Sequence, residues 1–197
     1  MDLSKGEKDI LYGLFDALNQ IVTTAPYSVV SGLLTTELYD MILVLFTFDQ
    51  KEKELWDQAH LNNKFFHLAS GASRRYYKEF AYAFVNDIIS HAEARMPFLL
   101  YCVNTFKTHK AGDSDQQEKA SAALFILALC EADLLLEQRP HIEAFCKSEL
   151  LPLILDSSVN RLLRFRAVWI VETFSSFLGK PELLSIMQCY TKVFKGQ

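Results

Sequence analysis

Arg161, Arg164 and Arg166 place three guanidinium groups within the first two turns of a helix expected over about 160 to 179. That is the positive end of the helix dipole, where cations are disfavoured, so something must compensate them. Carboxylates of the chain itself are one answer: Asp156, Glu172 or a neighbouring hairpin would pair with the arginines and hold adjacent repeats in register. An acidic partner is the other. Arg74 and Arg75, with Lys78, repeat the arrangement at the start of an earlier helix, and the interleaved Tyr76 and Tyr77 add the option of stacking on a partner. Internal pairing is the expectation at both places, with Arg74, Arg75 and Arg161 as candidate partner contacts. Trp169 follows Arg166 by three residues and falls on the same side of the helix, as an anchor of the core or of a repeat interface.

Other chemistry finds little material. His60, His67, His91, His109 and His141 include no pair at the four-residue spacing that puts two imidazoles on one helix face, so no metal site is expected. His141 and Cys146 are separated by roughly 140° around a helix and point apart. The chain contains no nucleophile elbow, phosphate loop, dinucleotide fingerprint or zinc-protease motif. Glu131, Asp133 and Glu172 are isolated carboxylates, expected to be solvated or ion-paired. The expectation is a protein that is not an enzyme and needs no cofactor.

Composition says what must position these residues. Of 197 residues half are apolar and 13% aromatic, and only 7 Gly and 5 Pro interrupt them, which favours long helices over disorder. A net charge of -4 offers no basic field for nucleic acid. The longest purely apolar run, Ala122 to Cys130, is well short of the roughly 20 residues that cross a bilayer, so membrane insertion is not expected. The residues after Met1 lack the pattern of a secretory signal, and Cys102, Cys130, Cys146 and Cys189 are spread without a C-x-x-C pair. Buried thiols in an intracellular protein are the expectation.

Apolar spacing predicts a first helix over about 5 to 24 (Ile10, Leu11, Leu14, Ala17, Leu18, Ile21), ended by Pro26, and a second from about Val30 to Phe48. A charged connector, 49–71, follows. Helices are then expected at about 72–91, at 93–107 with Pro97 in its first turn, and at 115–136 capped by Ser114 or Asp115. A partner from Pro140 to Leu155, kinked at Pro152, comes next. A seventh helix runs from about 160 to Gly179, which serves as its C′ residue, and Pro181 opens an eighth. The later hairpins begin roughly 43 and 45 residues apart, the period of HEAT and armadillo repeats. The expected fold is all-α, a right-handed α-solenoid of HEAT/armadillo-like antiparallel helix hairpins with about eight helices. The hairpins are placed at about 5–48, 72–108, 115–156 and 160–195, as a segment of a longer array.

Leu163-Arg164-Phe165-Arg166-Ala167-Val168-Trp169, preceded by Glu149-Leu150-Leu151-Pro152-Leu153, resembles a stretch of the karyopherin-β nuclear transport receptors. The closest flavour is the importin seven/eight group, with the exportin for importin-α as a near relative. These receptors carry L-R-A-R-A-C-W shortly after a helix end of similar type. The alternating arginines, Ala167 and Trp169 match, while Phe165 and Val168 depart. Upstream, Lys119-Ala120-Ser121-Ala122-Ala123-Leu124 is similar to their K-D-G-A-L helix opening, and Glu54-Leu55-Trp56-Asp57 to their E-L-W-E before an acidic connector. The resemblance spans about 52 to 197.

It implies protein cargo, the small GTPase Ran and phenylalanine-glycine-repeat nucleoporins as partners, and shuttling between nucleus and cytoplasm. The family's principal Ran contacts lie toward its amino-terminal repeats, so no Ran-binding residue transfers here. Leu163, Arg164, Arg166, Ala167 and Trp169 carry over as structural motif residues. The competing expectation is a HEAT-type scaffold or adaptor that holds a complex together.

Overall fold

The computed structural model describes residues 4–47, 54, 76–130, 132–181, 183–185 and 187–188. Within them the fold is all-α, with nine α-helices and no strand. The chain divides into two compact units, 1–101 and 102–197. The connector 49–71 lies outside the described residues apart from Glu54, as do Arg74 and Arg75.

In the first unit α1 (Lys5–Thr24) starts at a capping box: Ser4 Oγ accepts from the Glu7 amide while the Glu7 carboxylate accepts from the Ser4 amide. Phe15, Leu18 and Val22 form its buried stripe. That stripe packs on α4 (Tyr76–Ser90), where Phe84 meets Phe15 at 5.6 Å between ring centroids. Past the C-terminal ends of these two helices, Tyr27 meets His91 at 5.5 Å, so α1 and α4 run parallel. Burying each large apolar side chain in this seam contributes about 1.5–3 kcal/mol.

The apolar run after Pro26 is two helices, not one: α2 (Tyr27–Leu33) and α3 (Thr36–Phe46), bent by 67°. Leu34 leaves the helical region at φ −80°, ψ 64°, and Thr35 then caps α3 by accepting from the Leu38 amide. Hydrophobic periodicity continues through the break because both helices bury apolar residues, which is why spacing alone reads it as one element. α3 delivers Tyr39 onto Phe98 and Tyr101 of α5 (Ala92–His109), and Asp40 accepts from the Tyr101 hydroxyl at 2.7 Å. Because α5 begins at Ala92, Pro97 stands beyond the first turn and leaves the Glu93 carbonyl without its usual amide partner. Among the described residues no single helix is long and apolar enough to cross a membrane.

In the second unit α6 (Ser114–Ala128) is capped by Asp113, not by Ser114 or Asp115 as expected. Gln116 closes the box by accepting from the Asp113 amide. The run Ala120 to Ala128 is buried without interruption, consistent with a helix enclosed on all sides. The helix expected to reach 136 ends at Ala128, and a 3₁₀ segment (Ala132–Gln138) follows in which Leu135 is non-helical at φ −122°, ψ 19°.

α7 (Arg139–Phe145), a π-turn (Cys146–Leu150) and α8 (Leu151–Leu155) cover the span expected to be helical from Pro140 to Leu155. The distortion expected at Pro152 is the π-turn just before it. Pro152 has no N–H to give to the Ser148 carbonyl and its ring crowds that oxygen, and the Leu151 amide reaches back to Cys146 instead.

α9 (Arg161–Thr173) ends earlier than expected, with Phe174 as its C-cap, and a 3₁₀ turn (Ser175–Phe177) precedes Gly179. Phe174 and Phe177 are both buried and stack at 5.8 Å, so the chain tightens to bury two rings before the glycine is reached. Residues 180–181, 183–185 and 187–188 are helical, and the rest of the eighth expected helix is outside the described residues. α9 packs chiefly on α6 and, next, on α8.

Candidate functional site

The arginine-tryptophan stretch of α9 is built into the second unit. Asn160 caps the helix by accepting from the Leu162 amide, and its own amide donates to Gln117 Oε1 at 2.9 Å. Gln117 Nε2 donates to the Gly112 carbonyl at 3.0 Å, so one carboxamide ties the start of α9 to the loop ahead of α6. This fixes the register in which α9 lies along α6. Eight residues on from Gln117, Phe125 receives both Arg166, whose guanidinium carbon lies 4.9 Å from the ring centroid, and Trp169, in an edge contact at 5.5 Å and 70°. Both contacts advance in the same direction along the two helices, which are therefore parallel.

The expectation that Arg166 and Trp169 share one side of the helix is met through this common ring. Arg166 is buried at 2% exposure, Leu163 and Ala167 are fully buried, and Trp169 is half-buried. A guanidinium over an aromatic face is stabilised by the ring quadrupole and contributes about 0.5–2 kcal/mol.

Arg164 takes a partner that sequence reasoning missed. Its Nε and Nη2 donate to the Ile154 carbonyl at 3.1 and 3.0 Å, the negative end of α8. A cation unfavourable at the start of its own helix thus compensates the end of the preceding one. Asp156, the carboxylate expected to pair here, accepts from the Ser158 hydroxyl and amide. Those bonds, with a smaller contribution from Arg164, hold its carboxyl below the usual carboxylate range. Arg161 is half-buried and engaged in interactions of its own.

Further from the motif, Lys110 forms an ion pair with Glu149 while lying 5.7 Å from the Phe106 ring centroid, and Phe106 meets Phe145 edge-on. The sequence signals for these links were the D-x-x-Q spacing of Asp113 and Gln116, a capping-box pattern, and Asn160 as a preferred N-cap residue ahead of a helix. Gln117 and Lys110 carried none.

Cys102, Cys130 and Cys146 are buried free thiols, and burial pushes Cys146 up to about 12 and Cys102 higher still. Such thiols are inert as nucleophiles. Among the described residues no group of His, Cys, Asp and Glu is arranged to hold a metal ion. The arrangement is one of packing and helix-end compensation. Compared with known proteins, the chain matches no family model, no curated protein and no solved structure.

Proposed function

We propose that the chain is a protein-binding segment of a nuclear transport receptor of karyopherin-β type, a solenoid that carries protein cargo through nuclear pores under Ran control. The observation that carries this reading is the arginine-tryptophan stretch Leu163 to Trp169, whose alternating arginines match the family's and face two different neighbours, Ile154 and Phe125. The solenoid itself is supported by register. Gln117 and Asn160 are separated by 43 residues, and Phe125 and Trp169 by about the same interval, so α6 and α9 pair at the repeat period. In the first unit α1 and α4 pair in parallel at a longer separation because the connector intervenes.

Binding to beads carrying phenylalanine-glycine repeats tests the reading. Retention on them, and loss of retention when the repeat phenylalanines are replaced by serine, is the expected result. Equal behaviour on both bead types contradicts it.

One observation favours the alternative, a HEAT-type scaffold or adaptor. Arg164, Arg166 and Trp169 spend their contacts inside the chain, so the motif serves packing, which any stacked-hairpin protein needs. A single stoichiometric partner together with indifference to the repeats would decide for the scaffold.

A further inference from the structure

α1 has two apolar faces. Phe15, Leu18 and Val22 face α4 and are buried. On the other face Gly6, Ile10, Gly13, Ala17 and Ile21 follow one another at spacings of three and four, with Leu14 beside Gly13, so they line one side of the helix. This seam is open: Ile10 is 72% exposed, Leu14, Ala17 and both glycines are exposed too, and Ile21 is half-buried. A side-chain carbon placed on Gly6 or Gly13 would meet no atom within 4 Å. Large residues that alternate with gaps let a second helix approach closely and seat its own side chains, and the 20 residues of α1 offer about 30 Å of such surface.

Charge decides what fits there. Glu7 borders the seam on one side, and Asp9 and Asp16, one heptad apart, border it on the other; all three are exposed. Lys5 and Lys8 fall by spacing further round the helix. A second copy laid antiparallel would match the seam in shape, with Ile10 against Ala17 and Leu14 against Gly13. It would also bring Asp9 of one copy against Asp16 of the other, twice over, and like charges so placed oppose association. We propose that this face of α1 docks an amphipathic helix of a partner protein, apolar at heptad spacing and flanked by lysine or arginine. The basic flanks meet the acidic borders while the apolar stripe fills the gaps beside Ile10 and Leu14. The site stands on α1 alone and does not depend on the transport reading.

The test titrates fluorescent synthetic peptides with the full chain. Two three-heptad peptides carry the same leucine and alanine stripe and differ only in having lysine or glutamate at its flanks. The lysine peptide is expected to bind about tenfold tighter than the glutamate peptide, and about tenfold tighter than a scrambled lysine peptide that keeps the charge and loses the stripe. Ile10→Glu and Gly13→Glu make the chain more acidic, yet each should weaken the lysine peptide about tenfold, because a charge then stands in the middle of the seam. Gly13→Glu also raises helix propensity, so its loss of binding is not loss of the helix. Val44→Glu, a charge added at an exposed position of α3, should leave binding unchanged. Asp9→Lys combined with Asp16→Lys should reverse the order of the two flanked peptides. No binding of the lysine peptide, equal binding of both flank types, or binding that survives both seam variants would overturn the proposal. A dimer seen by sedimentation at neutral pH and dissolved by Gly13→Glu would overturn it too, by giving the seam to a second copy.

Discussion

The Asn160 amide donates to Gln117 Oε1 at 2.9 Å, joining the N-cap of α9 to the first turns of α6 across 43 residues of chain. The other end of the same carboxamide donates to the Gly112 carbonyl. Gln117→Leu keeps the bulk and removes both bonds. It is expected to cost about 1–2 kcal/mol in urea denaturation with an unchanged slope, and an effect below the error of the measurement would mean that water replaces the amide at no cost.

Arg164→Lys keeps the charge and loses the fork that holds the Ile154 carbonyl. The expected loss is about 1 kcal/mol, with Arg164→Met costing more. If lysine proves fully equivalent, the role of Arg164 is charge alone.

Trp169 is half-buried and touches Phe125 by its edge. A fully buried tryptophan would lose about 3–5 kcal/mol on truncation to alanine. Here the expected cost is about 2 kcal/mol, read from chemical denaturation, because part of the ring already faces solvent.

Glu7 and Asp156 both titrate lower in the folded chain than their ordinary values, Glu7 through its bonds from Ser4 and Asp156 through those from Ser158. As pH falls, the unfolded chain takes up these protons first, so each contributes stability that is present above the usual carboxylate range and is lost as pH drops through the folded value. Glu7→Gln and Asp156→Asn should each flatten the acid limb of the stability profile below about pH 4.5. An unchanged limb in both variants would show that other carboxylates drive acid unfolding.

The buried thiols give a check of the core. Cys102, Cys130 and Cys146 should react with an aromatic disulfide reagent only after denaturant is added. Rapid reaction of any of the three in native buffer, followed by mass spectrometry, would show that the core opens around it.

Much of the architecture was legible because helical periodicity reports burial, and burial here is extensive. The all-helical class, the ends of α1 and the sharing of one side by Arg166 and Trp169 follow from spacing. What spacing missed are places where local backbone hydrogen bonding or non-periodic burial decides. Leu34 and Thr35 break an apolar run that stays buried on both sides. Phe174 ends α9 before Gly179 because two rings are buried first. Arg164 found a carbonyl where a carboxylate was expected, since the exposed carbonyl at the end of the preceding helix accepts from its guanidinium. Long-range links such as Gln117 to Asn160 leave no trace in sequence, because either residue alone is an ordinary polar group.

The transport reading is tested most directly in permeabilised cells, by following a fluorescent form of the chain at the nuclear envelope. The account predicts a bright nuclear rim that competing phenylalanine-glycine repeats remove and that serine-substituted repeats leave in place. Uniform entry with no rim, like that of an inert protein of 22.6 kDa, would contradict it.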